Sequence, residues 1–268
     1  MKNFLLSALI LVLILMTGCG TDDNTIKVGT IKYLNLTEET LDKILKGNPK
    51  LSDADRRHIF FDNINAMTAA LQSGQIDEMS IYRTVALYLI NNNPNHQWDM
   101  SEPIVSDVFC CAMRKEDIVL KKEFDEAILS LTRDGTLSKL VKTYIHEVST
   151  ADTPPAVELP TFYGAEMIRI GVTGDLPLLD YISADGMPSG FNTAVLAEIS
   201  RRIGKNFVLV QVDSGARAIA LTSGEVDVIF WAVVPEGDTL PADLDTPDGM
   251  ILTEPYFSDG IVHVNLIK

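Results

Sequence analysis

Apolar and polar positions along this chain fall into a pattern that is laid down twice. The first half opens on Ile26-Lys27-Val28-Gly29-Thr30 and the second on Ile168-Arg169-Ile170-Gly171-Val172. Both are short apolar runs entering a glycine, as a buried strand does where it meets a loop. Further on, Ala70-Leu71-Gln72-Ser73-Gly74-Gln75-Ile76-Asp77 is answered by Ala220-Leu221-Thr222-Ser223-Gly224-Glu225-Val226-Asp227. In each, a helical pattern stops at a glycine placed to adopt the left-handed conformation, and a strand follows at once. Finally, Ser101-Glu102-Pro103-Ile104-Val105-Ser106-Asp107 is answered by Thr253-Glu254-Pro255-Tyr256-Phe257-Ser258-Asp259, each before an apolar run, residues 108–113 and 260–267. Three matches in one order define an internal repeat. Each half predicts strand, helix, strand, helix, strand, with helix starts at Thr37 and Asn192, so the fold class is α/β with parallel-type sheets flanked by helices.

Between the halves the pattern changes. Residues 121–145 are amphipathic and broken at Arg133-Asp134-Gly135-Thr136, which predicts two helices joined at a glycine. Residues 149–160 are rich in Pro, Thr and Ala and predict an exposed linker.

The first residues stand apart from this repeat. Lys2 is followed by an apolar stretch, 4–16, interrupted only by Ser7, and then by Thr17-Gly18-Cys19. That is the shape of an export signal, and the stretch is short for a membrane-spanning helix of about 20 residues. Leu15-Met16-Thr17-Gly18-Cys19 resembles the lipobox of bacterial lipoproteins, in which the cysteine becomes the lipidated first residue. The alternative is a plain cleaved signal with an incidental cysteine. Residues 20–25 read as a flexible tether. The formal net charge of -15 argues against a nucleic-acid partner, because phosphates would repel the average surface. Of the three cysteines, Cys110 and Cys111 lie in an apolar run and read as small buried hydrophobes.

On these motifs the chain resembles the periplasmic solute-binding proteins of ABC importers, of the amino-acid-binding type (family 3). The likeness covers residues 26–145 and 167–268. Gly186-Met187-Pro188-Ser189-Gly190-Phe191 is similar to the family's G-x-x-x-G-F, residues 221–227 to its L-x-S-G-x-V-D, and Thr253-Glu254-Pro255-Tyr256-Phe257 to its S-x-P-Y-Y. The resemblance implies a two-lobed, type II periplasmic-binding-protein-like fold with a hinge of two crossing strands, no catalytic residues and no cofactor. It implies a solute-binding lipoprotein of an ABC importer, lipid-anchored through Cys19 on the outer face of the bacterial cytoplasmic membrane, monomeric, and partnered by an ABC permease. A sensor or signalling lipoprotein with the same fold is the alternative.

The order of segments departs from the family's. The expected division is a lipoprotein signal peptide (1–18), a tether (19–25), a lobe resembling the family's second lobe (26–107), a crossing strand with closing helices (108–148), a linker (149–165), and a lobe resembling the family's first (166–268). That order is a circular permutation; the alternative is two modules completed by swapping with another chain.

Ligands of open α/β sheets bind beyond the carboxyl ends of the strands, so candidate ligand contacts are sought there. The family's carboxylate-binding arginine has no counterpart near residues 233–236, and Tyr82 stands where its ammonium-binding aspartate would be, beside Arg83. Candidates from the first half are Tyr33, Asn35, Thr37, Asn63, Tyr82 and Arg83. Of Asn63 and Asn65, one caps the following helix. From the second half come Asp175 and Asp180, which could hold a cationic group; Tyr181; Arg217, a replacement carboxylate ligand; and Trp231, which either stacks on a ligand or packs. The four histidines, His58, His96, His146 and His263, show no metal-ligand spacing, and no nucleophile motif is present, so a small polar solute rather than a reaction is expected.

Overall fold

The computed structural model describes residues 25–48, 55–148 and 154–267. The expected signal, Cys19 and nearly all of the tether fall outside them.

The first half folds as β1 (Ile26–Ile31), α1 (Glu38–Lys46), β2 (Arg56–Phe61), α2 (Ile64–Gln72), β3 (Glu78–Tyr82), α3 (Arg83–Asn92) and the short β4 (Trp98–Met100). A long strand, β5 (Val105–Arg114), leads into α4 (Ile118–Arg133) and α5 (Thr136–Val141), the latter running on into a single π-helical turn at Lys142–His146. The second half folds as β6 (Met167–Val172), a small hairpin system of β7 (Asp175–Leu176), β8 (Asp180–Ile182) and β9 (Pro188–Ser189), then α6 (Phe191–Ile203), β10 (Asn206–Gln211), α7 (Arg217–Thr222), β11 (Val228–Pro235), β12 (Met250–Leu252) and a second long strand, β13 (Phe257–Leu266).

The main sheet runs β10-β6-β11-β5-β13-β3-β1-β2. Its two wings are parallel: β1 pairs with β2 and β3, and β6 with β10 and β11. The middle is antiparallel, with β11 on β5, β5 on β13 and β13 on β3. Each long strand thus starts beside one wing and ends in the other, and the two wings form an N-lobe and a C-lobe joined by two crossing strands.

The repeated motifs do the same work in both lobes. Gly74 and Gly224 take left-handed φ values of 73° and 76° and end their helices. Asp77 then accepts from the Lys27 amide at 2.9 Å while its own amide donates to the Lys27 carbonyl at 2.8 Å. Asp227 repeats this with Arg169 at 3.0 and 2.8 Å. The motif's aspartate therefore fastens each lobe's first strand to the turn before its third.

Local chemistry accounts for the helices. Thr37 caps α1, its side chain accepting from the Thr40 amide, with Glu38 and Glu39 at the positive end and Lys43 and Lys46 at the negative end. Asn63, not Asn65, caps α2, accepting from Ala66 at 2.8 Å. Gly135, at φ 78°, makes the expected break between α4 and α5. Phe124 of α4 is fully buried and stacks on Phe207 at 5.6 Å, seating the closing helices on the C-lobe.

Two expectations are corrected. The cap of α6 is Gly190, and Asn192 lies inside the helix. The later part of the expected exposed linker packs instead: Val157 is buried against Ala194 and Ala197, its amide donates to the Pro188 carbonyl at 2.9 Å, and the Gly190 amide reaches the Pro155 carbonyl at 3.3 Å. Its apolar residues cover one side of α6, which outweighs a composition typical of solvated loops.

Gly190 explains the G-x-x-x-G-F motif. At φ 93° and ψ 178° it occupies a region closed to side chains, and a Cβ would sit 2.9 Å from the carbonyl oxygens of both Leu178 and Leu179. The Leu178 carbonyl accepts from the Phe191 amide and the Leu179 carbonyl from the Asn192 amide, at the start of α6. Gly190→Ala is expected to destabilise the protein by about 2–4 kcal/mol, read by urea denaturation. A change below about 0.5 kcal/mol would contradict this account.

Candidate functional site

The carboxyl ends of β1, β2 and β3 face those of β6 and β11, and the cleft between the lobes lies there. Its centre is Arg217, 3% exposed at the start of α7. Its Nε donates to the Ser214 carbonyl at 3.1 Å, Nη1 to the Trp231 carbonyl at 2.7 Å, and Nη2 crosses the cleft to the Lys32 carbonyl at 2.8 Å. The guanidinium also lies 4.6 Å above the Trp231 ring. Burial lowers its pKa, against the pull of Asp245 and other acids.

Trp231 is unusual in two ways. Its φ is 84°, a strained value for a bulky residue, and it sits at the register shift between Phe230 and Ala232 where β11 bulges from β5. Its indole Nε1 is buried and has no hydrogen-bond partner among the described residues. Tyr82 packs edge-on against it at 5.9 Å and donates its hydroxyl to Asp107 at 2.9 Å. The space left among Tyr33, Tyr82, Leu176, Arg217 and Trp231 is a cavity of about 40 Å³.

Two aspartates of the C-lobe hold backbone amides of the N-lobe. Asp175 accepts from Ile64, the first residue of α2, at 2.6 Å. Asp245 accepts from Leu34, Asn35 and Leu36 at 3.0, 2.7 and 3.4 Å, in the loop before α1. Clustered amides at such turns and helix starts favour negative charge. Gly215 lets the lobes touch, since a Cβ there would lie 2.7 Å from Asp62 Oδ1 and from Lys32 Cδ.

The structure brings together Tyr33, Tyr82, Asp175, Arg217 and Trp231 from the expected set. Others take different places. Asp180 is 1% exposed and turned into its own lobe, accepting from the Thr173 amide and hydroxyl at 2.8 and 3.0 Å, so it braces the loop after β6. Thr37 and Asn63 spend their side chains as helix caps. Asn35 is exposed and joins only through its backbone amide, and Arg83 is exposed on α3. Tyr181 lies on β8 and does not line the cleft cavity.

Sequence reading missed Asp245, whose signal was no more than an acid in an irregular loop. It also left the histidines unpartnered. His58 Nδ1 meets Asp42 at 2.7 Å and His263 Nδ1 meets Glu78 at 3.0 Å, pairs supplied by separate elements.

The interior is rich in acid. Burial pushes Asp107 and Asp180 up to about 6, Asp107 further through Asp245, and it raises Asp175, Asp245 and Asp259 as well. A carboxyl raised in the fold binds more protons there than in the unfolded chain, so stability falls as pH rises between the two values. His58, whose pKa burial lowers, acts in the opposite sense below about pH 6.5. The acids outnumber it, and Tm is expected to be higher at pH 5 than at pH 7.5. Asp107→Asn should reduce that difference, its share between pH 5 and pH 7.5 being ~1.4 kcal/mol, or about one pH unit. A Tm that rises steadily from pH 5 to 7.5 would contradict the assignment.

Residues 168–236 match the family model of bacterial extracellular solute-binding proteins, family 3. Comparison with curated protein sequences found no match. Among solved structures, the chain is similar to the VFT2 domain of BvgS from Bordetella pertussis, with 12% identity, 91% of this chain and 82% of that chain covered, and a TM-score of 0.42. It is similar to the zinc-bound ligand-binding component of an ABC-type import system from Staphylococcus aureus, with 12% identity, 89% and 65% covered, and a TM-score of 0.44. It is also similar to an ancestral arginine-binding protein bound to arginine, with 15% identity, 90% and 84% covered, and a TM-score of 0.40. No helix among the described residues is long and apolar enough to cross a membrane. The likeness read from the motifs is thus met by a family match, and the C-lobe carries the sequence signature of the bacterial extracellular solute-binding proteins, family 3.

Proposed function

We propose that this protein is the solute-binding lipoprotein of an ABC importer, taking a small polar solute between its two lobes. The observation that carries the reading is the Arg217–Trp231 pair at the cleft: a strained tryptophan, its indole N–H unpaired among the described residues, beneath a buried guanidinium. Strain of this kind persists where the surroundings enforce it, and it gathers at ligand sites. Arg217 uses three of its five N–H donors on carbonyls, leaving others for a carboxylate or another acceptor group. Opening at the two crossing strands would admit the solute, whose acceptor atoms then replace the cross-cleft bonds of Asp175, Asp245 and Arg217.

In this reading Cys19 carries the lipid, the mature chain sits on the outer face of the cytoplasmic membrane as a monomer, a permease is its partner, and it catalyses no reaction. The segment order, with the lobe resembling the family's second one first, is a circular permutation. A second reading, a sensor that signals through the state of its cleft, is favoured by the number of direct hydrogen bonds fastening the lobes.

The test is a thermal-shift and calorimetric screen of the protein against amino acids, amines and small aromatics. A bound solute at 100 times its Kd stabilises the native state by about 2.7 kcal/mol, so Tm rises. Trp231→Ala and Arg217→Ala should each weaken the solute at least about tenfold. If no solute raises Tm, the uptake reading fails.

A further inference from the structure

A second and larger cavity, about 410 Å³, lies between the face of the N-lobe sheet and, from the C-lobe, the end of β11 and the loop after it, next to the smaller cavity. Its floor is formed by side chains on one face of β1, β2, β3 and β13, among them Thr30, His58, Glu78, Ser80 and His263. Leu41 and Leu45 of α1, and Leu240 and Leu244 of the loop between β11 and β12, line its apolar sides. Exposed residues also line it, Asp99 and Ile104, so it has a mouth. The volume lies in the range of small-molecule sites.

Charge assigns the kind of occupant. Asp42 is held by His58, and Glu78 by Arg56 at 3.2 Å and His263 at 3.0 Å. Asp245 accepts three backbone amides. Asp107 is different. It lines the cavity and is 3% exposed, and its side chain's one hydrogen-bond partner among the described residues is the Tyr82 hydroxyl on Oδ2. It makes no ion pair with a described residue, and the nearby charge it feels is the like charge of Asp245. A carboxylate buried this far without a cation is costly, and a cation brought to it recovers that cost. A metal ion is a poor candidate, because no three His, Cys, Asp or Glu side chains among the described residues converge to hold one. The leucine-rich sides call for an apolar body.

We infer that this cavity binds a small organic cation, a primary amine on an apolar body, with Asp107 receiving the ammonium group. The larger cavity adjoins the smaller, with Thr30, Tyr33, Ser80, Val233, Asp245 and Ile261 lining both, but Asp107 and Leu240 line the larger only, and Arg217 and Trp231 the smaller only.

The experiment is calorimetric titration of the full chain with hexylamine and phenethylamine, with hexanol and hexanoate as neutral and anionic controls. Both amines are expected to bind at least tenfold more tightly than hexanol, with no binding of hexanoate. Asp107→Asn keeps an acceptor for Tyr82; it should weaken the amines at least tenfold and leave hexanol unchanged. Leu240→Trp, on the covering loop, should obstruct amines and hexanol alike, and Trp231→Ala should leave the amines unaffected. Failure of both amines to bind, hexanol binding as tightly as the amines, or unchanged amine affinity in Asp107→Asn would each overturn the inference. Amine binding lost in Trp231→Ala but kept in Leu240→Trp would place the amine in the cleft, overturning this inference while supporting the proposed function. A screen in which no solute loses affinity in Trp231→Ala or Arg217→Ala, while the amines bind through Asp107, would overturn the proposed function alone.

Discussion

The antiparallel pairing of β5 with β13 is the constraint on which the rest of the architecture hangs. Asp107 and Asp259, equivalent positions in the internal repeat, lie directly opposite one another in that pair. From this point β5 runs on against β11 of the C-lobe and β13 against β3 of the N-lobe. A repeated half-molecule whose final strand crosses into its neighbour produces two lobes, one continuous sheet and a cleft with the carboxyl ends of both wings facing it. Backbone hydrogen bonds hold this crossing, so a change in the angle between lobes must be absorbed in those two strands.

The cleft combines that geometry with an uneven distribution of charge. Asp175 and Asp245 lie on its C-lobe side, and Arg217 is the cation at its centre. Asp175 and Asp245 are satisfied by amides of the opposite lobe rather than by cations. Hydrogen bonds of this kind contribute about 1.5–3 kcal/mol each to folded stability when one partner is charged. A solute of micromolar affinity binds with about 8 kcal/mol, enough to compete with several of them. The bonds joining the lobes are therefore of a size that a solute of the proposed kind could displace. The larger cavity has a different balance, with Asp42 and Glu78 ion-paired and the buried Asp107 in no ion pair with a described residue.

Legibility in the sequence followed the range of the interactions. The turns at Gly74 and Gly224 and the strand ties of Asp77 and Asp227 are written in a few adjacent residues, which is why the repeat was visible. The helix caps at Thr37 and Asn63 were visible for the same reason, although their capping role removes both side chains from the cleft. Asp180 looked like a cleft acid because it lies in a loop after a first strand; the tight turn through β7 and β8 points it back at Thr173. His58 with Asp42, and His263 with Glu78, could not be paired from spacing, since each pair joins elements that the sheet and α1 bring together.

By itself the sequence determined the duplicated α/β plan, the positions of most strands and helices, the break at Gly135 and the likeness to a solute-binding family, because strand and helix periodicity and turn chemistry act over a few residues. Only the tertiary structure decided what faces the cleft. A side chain's direction there depends on which strand pairs with which and on where β11 bulges at Trp231. It also decided that the later linker packs on α6, that Asp245 reaches the loop before α1, and that Arg217 lies over Trp231, because these contacts form between segments far apart in the chain.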